Sequence, residues 1–98
     1  MLPQHFSIYL QPTAVAFLDS CADEEAIRVR ALIEEIRQDP SVDEQRKIAV
    51  VIAPIVFRVL VAEGYWIAYH MAGQAEIWVV AIKRSQTAPT SYELRGHT

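Results

Sequence analysis

Val56-Phe57-Arg58-Val59-Leu60-Val61, Tyr65-Trp66-Ile67-Ala68-Tyr69-His70-Met71 and Glu76-Ile77-Trp78-Val79-Val80-Ala81-Ile82 are three apolar runs. Glu63-Gly64 separates the first two and Ala72-Gly73-Gln74 the last two. Runs of this length, rich in β-branched and aromatic residues and bounded by glycine-containing turns, read as strands. Connections this short leave no room for a crossover, so 56–82 reads as an antiparallel meander. The third run is almost entirely apolar and belongs in the interior of the sheet.

Upstream, Ile48–Ile52 is apolar and β-branched and is interrupted by Pro54. It reads as a strand or an irregular approach to one. The clearest helical pattern lies over 24–39, where Val29, Leu32, Ile33 and Ile36 fall on one face. Asp23 is a suitable N-cap, and Asp39-Pro40 ends the helix because a residue before proline avoids the α region. Residues 40–47 read as a polar loop. Ala14–Asp19 reads as a short helix capped by Thr13. Before it, Phe6, Ile8 and Leu10 share one face of a short strand. The tail, 85–98, is polar, contains Pro89 and shows no periodicity. The order is β, α, α, β, β, β in a single domain, 1–98. This is an α+β fold with two N-terminal helices on one face of a mostly antiparallel sheet. The other face is expected to meet solvent or a partner.

Composition narrows the function. The 98 residues are 52% hydrophobic and 21% charged, which excludes intrinsic disorder. One cysteine, Cys21, permits no internal disulfide and no zinc ribbon, and no histidine context supports it as a nucleophile. His5, His70 and His97 lie far apart without ligand spacing, and no glycine-rich phosphate loop is present. No cofactor or metal is expected. No apolar run approaches the roughly 20 residues of a bilayer span, and no signal peptide is visible, so a cytoplasmic protein without membrane contact is expected. The net charge of −3 argues against a general nucleic-acid binder. Residues 1–55 hold five basic and nine acidic side chains, residues 56–98 four basic and three acidic. An anion-binding surface therefore belongs in the second half, although an acidic helical layer that keeps the domain in solution accounts for the same asymmetry.

The element order, the segment Phe57-Arg58-Val59, the strand Gly64-Tyr65-x-Ile67-x-Tyr69 and the strand Ile77-x-Val79-Val80-x-Ile82-Lys83-Arg84 together resemble the RelE/ParE superfamily. These are toxins of bacterial type II toxin–antitoxin modules. The resemblance covers 6–92 and rests on hydrophobic pattern and a few basic positions. It implies a growth-inhibiting toxin, active on plasmid stabilisation or translation, that is neutralised by a bound cognate antitoxin. RelE-like members are ribosome-dependent mRNA endonucleases; ParE-like members inhibit DNA gyrase and have no catalytic activity.

The nuclease branch requires cations and a proton donor around a scissile phosphate. The resemblance places Arg58 and Arg84 at basic positions, Lys83 beside Arg84 as a substrate-binding residue, and Tyr92 at the tail tyrosine. His70 is a reserve acid–base group. Two positions depart from the pattern: Leu60 and Trp66 stand where basic residues are expected. An indole offers one neutral donor and cannot replace a guanidinium on a phosphate. Strand alternation puts Tyr65, Ile67, Tyr69 and Met71 on one face and Trp66, Ala68 and His70 on the other. Arg58 and Leu60 share a face, and an outward Arg84 carries Trp78, Val80 and Ile82 with it. An open face built this way is aromatic and aliphatic, with Trp66, Trp78 and Leu60 as partner-binding residues. Each residue also has an ordinary role: Arg58 and Arg84 as solubilising or ion-paired strand charges, Tyr92 as a packing tail aromatic, the tryptophans as core. The readings are an endoribonuclease, a gyrase inhibitor without an active site, or a non-toxic interaction module that dimerises through Trp66 and Trp78.

Overall fold

The computed structural model describes residues 5–97. The elements in chain order are β1 (Ser7–Leu10), α1 (Pro12–Ser20), α2 (Asp23–Gln38), β2 (Lys47–Ile52), β3 (Ile55–Ala62), β4 (Tyr65–Ala72), β5 (Glu76–Arg84) and α3 (Ser91–Leu94), followed by a 3-10 turn at Arg95–His97. The five strands form one sheet in the order β1-β5-β4-β3-β2. β1 runs parallel to β5, and every other pair is antiparallel. The expected α+β class and the meander are present. Ile48–Ile52 is a regular edge strand paired with β3. Among the described residues no helix is long and apolar enough to cross a membrane.

Local chemistry explains most boundaries. Pro12 occupies the first turn of α1, where its missing N–H costs nothing. Thr13 does not cap that helix as expected. The N-cap is Gln11, without a side-chain bond, and the Thr13 hydroxyl donates instead to the Val80 carbonyl. Ala22, not Asp23, is the N-cap of α2, and Asp23, Glu24 and Glu25 form its acidic first turn, which suits the helix dipole. The β3–β4 hairpin turns on Glu63 and Gly64, both with positive φ (53° and 84°), the geometry that matches strand twist and favours glycine.

The sheet has a core on each side. Val29, Leu32, Ile33 and Ile36 of α2, with Ala14 and Leu18 of α1, pack on Leu60, Ile67, Tyr69, Ile77, Val79 and Ile82. On the opposite side Phe57, Val59, Trp66, Ala68, Val80 and Ala81 gather around Leu94. That second core corrects the expectation of an open face, and the polar tail without periodicity supplies part of it. Thr90 and Glu93 form a capping box, with Glu93 N–H donating to Thr90 Oγ1 and Thr90 N–H to Glu93 Oε1, each at 3.2 Å. The short helix seats Leu94 on the sheet, and the Lys83–Glu93 ion pair at 3.1 Å ties it to β5.

A β-bulge interrupts β5. Ala68 faces Ala81 but Tyr69 faces Val79, so Val80 is one residue more than β4 requires. The bulge inverts the alternation beyond it. Ile82 and Arg84 lie on the α1/α2 side, opposite Ile67 and Tyr65, whereas Trp78 faces the other way beside His70. The expected outward row of Trp78, Val80, Ile82 and Arg84 therefore does not exist.

Candidate functional site

Arg84 ends β5 above the α1–α2 corner. Its Nε donates to Glu25 Oε2 at 2.7 Å and its Nη2 to Glu25 Oε1 at 2.5 Å, a bidentate pair. The Tyr65 hydroxyl donates to the same Glu25 Oε2 at 2.7 Å. The guanidinium lies 4.7 Å from the Phe17 ring centre, and Phe17 meets Tyr65 edge-on. The Arg84 hydrogen bonds, then that of Tyr65, hold the Glu25 carboxyl down at about 2. The nearby Cys21 thiol is pushed up by burial and by Glu25, so it is not a reactive thiolate. Arg84 is thus a neutralised cation that locks α2 to the end of β5.

Arg58 is also on the helix side, paired across the sheet with Tyr69. Its Nη1 and the Tyr69 hydroxyl both donate to the Pro40 carbonyl at 2.9 Å, and Lys47 Nζ donates to the Asp39 carbonyl at 2.5 Å. These donors hold the end of the α2–β2 connection against the sheet. Burial pushes the Tyr69 phenol up to about 12. Leu60 shares the face of Arg58, as alternation requires, and is fully buried beneath the helices. It cannot be a partner-binding residue in this fold, because its face is already the core.

The remaining candidates lie on the other side. His70 stands beside Trp78 and meets Phe57 edge-on at 6.1 Å. Trp78 is half-buried and stacks on Tyr9 of β1 at 4.8 Å. Trp66 is only 4% exposed, packed in the second core with Leu94, and meets the surface where it lines a cleft with Lys83, Glu93 and His97. Lys83 is exposed and spends its charge on Glu93. Tyr92 projects from α3, 81% exposed.

Two of the nuclease candidates, Arg58 and His70, line one cleft. The β3–β4 pairing stops at Arg58↔Tyr69, and a cleft of about 350 Å³ opens there, lined by Arg58, His70, Met71, Val56, Ile55 and Pro54. It offers one cation, already shared with the Pro40 carbonyl, and one imidazole. Arg84 and Tyr92 line neither this cleft nor each other's surroundings. Among the described residues no three His, Cys, Asp or Glu side chains gather as metal ligands. Glu25 and Tyr9, which partner Arg84 and Trp78, were not singled out in the sequence. Only the contact across the fold identifies them, because each lies in a different element from its partner. No protein-family model matches the sequence, and a search of curated proteins finds no significant relative.

Proposed function

We propose that this chain is the toxin of a toxin–antitoxin pair of the RelE/ParE kind, and that it acts by binding a protein target, as ParE-like toxins bind DNA gyrase, without cutting RNA. The α+β sheet with two N-terminal helices on one side supports the superfamily reading. The observation that carries the binding reading is the dispersal of the charged candidates. Arg84 is taken by Glu25, Tyr92 projects from α3, and Arg58, which shares a cleft with His70, is the one cation there and is bonded to the Pro40 carbonyl. Stabilising a phosphoryl transition state needs several cations preorganised about one point. A binding toxin needs only an exposed surface of suitable chemistry, and the Tyr9–Trp78 stack beside His70 supplies aromatic area on the side away from the long helices. A cognate antitoxin would cover apolar surface with a helix or strand of its own.

The test is induced expression in bacteria, with growth, a DNA-damage reporter and mapped mRNA 5′ ends followed together. Growth arrest with intact mRNA and an induced reporter is the expected result. Translation-dependent cuts at codon positions would establish the endoribonuclease instead. Unimpeded growth would remove the toxin assignment altogether.

A further inference from the structure

β2 is an outer strand of the sheet, and what its free edge presents does not depend on the toxin reading. The ladder between β2 and β3 fixes which backbone groups face outward. Val61 N–H donates to the Arg46 carbonyl at 2.7 Å, in the same register that pairs Ile48 with Val59, Val50 with Phe57 and Ile52 with Ile55. Hydrogen-bonded and non-bonded positions alternate in an antiparallel pair. Ile48, Val50 and Ile52 therefore point their N–H and C=O groups at β3, and Lys47, Ala49 and Val51 point theirs away from the sheet.

Lys47 is already satisfied. Its carbonyl accepts from Asp43 N–H and Glu44 N–H at 3.0 Å, and its N–H donates to Asp43 Oδ1 at 2.9 Å. No bond joins the outward groups of Ala49 and Val51 to any other described residue. The side chains around them are equally unusual for a solvated edge. Residues 48–57 contain no charge, and Val51 and Val56 are 65% and 49% exposed. Edge strands of monomers are blunted by charge, proline or a bulge. The nearest lysine here, Lys47, is buried with its amine turned to Asp39.

We propose that the chain forms a two-fold dimer by antiparallel pairing of β2 with β2 of a second copy, centred on Val50. In this register Ala49 of each copy faces Val51 of the other and exchanges both bonds, so every free group of the edge is used. A shift by one pair in either direction sets Val51 against the occupied Lys47, or Ala49 against Ala53 in the hairpin turn. Groups two residues apart on one strand are complementary to themselves under a two-fold axis, which is the geometric requirement of an isologous interface. A charge on β2 at that axis would meet its own copy, and Ile48–Ile52 carry none; of the neighbouring cations, Arg58 lies behind Ala49 in β3 with its guanidinium on the Pro40 carbonyl, and Arg95 lines a cleft with Val51. The half-buried Ile48, Val50 and Ile52 would extend the second core across the junction.

The experiment uses the full chain with Cys21→Ser, in which Val50→Cys and Val51→Cys are compared under oxidised glutathione, beside sedimentation of the unmodified chain at about 100 μM. Val50 pairs with its own copy at a non-bonded position, where Cβ atoms are about 4.5–5.5 Å apart, close to disulfide reach. Val51 does not meet Val51. The Val50→Cys chain should cross-link at least tenfold faster than Val51→Cys, although Val51 is the more exposed residue. Val51→Pro removes an outward N–H, and with a native circular dichroism spectrum it should sediment as a monomer while the parent sediments at twice the chain mass. A monomeric parent, as expected if the edge serves a strand from another protein, overturns the proposal. So does faster cross-linking at position 51.

Discussion

Glu25 shows how one carboxylate settles the fate of a candidate site residue. It takes both arms of Arg84 and the Tyr65 hydroxyl, so the cation that would otherwise be available to a phosphate is used to hold α2 on β5. The consequence is a pH dependence with a definite sign. A carboxyl held at about 2 when folded, against an ordinary value of 4.5, stabilises the fold above the ordinary value. That stabilisation fades as pH falls from about 4.5 through about 2. Glu25→Gln should therefore lower the urea midpoint at pH 7, and the gap between variant and parent should shrink as pH approaches 2. A gap that stays constant across that range would mean that the ionised carboxylate contributes nothing. Because the Arg84 side chain is half exposed, solvent screening keeps the effect modest.

At the scale of elements, α3 is the part that changes the picture. Its four residues are too few to be helical alone, so the capping box and Leu94 must hold it. Leu94→Ala should cost about 2–5 kcal/mol in chemical denaturation, the usual range for a buried leucine. It should also move tryptophan emission to the red as Trp66 loses its cover; an unshifted spectrum would show that α3 stays seated without Leu94. The long helix and the meander strands were legible because their periodicity is repeated over many residues: Val29, Leu32, Ile33 and Ile36 leave no choice of face. The Thr90-x-x-Glu93 signature was equally present in the tail but followed by no apolar run, and only the packing of Leu94 in the second core gives it meaning. The bulge at Val80 had no local signal, neither glycine nor proline. The faces of Ile82 and Arg84 were therefore misread from strict alternation.

For the whole molecule, the two faces of the sheet have divided the work. Each face has a core, and each core draws in residues that looked like site residues in isolation: Leu60 under the helices, Trp66 under α3. What was legible of the candidate site was the set of residue types; what was not was their grouping, which depends on contacts between distant parts of the chain, such as Tyr9 with Trp78 and Glu25 with Arg84. Surface that stays available lies at the Tyr9–Trp78 stack and along β2, at opposite margins of the sheet. Val80 bears on this division in another way. It is one residue more than the ladder with β4 needs, yet its side chain is fully buried in the second core. Its carbonyl accepts from the Thr13 hydroxyl, a bond that adds to the packing of Ala14 and Leu18 and to the Gln11 N–H bond with the Val79 carbonyl in holding α1. Thr13→Ala removes that bond and leaves Val80 in the core; it should speed deuterium exchange of the α1 amides while those of β4 and β5 stay slow, separating the anchorage of the first helix from the integrity of the sheet it rests upon.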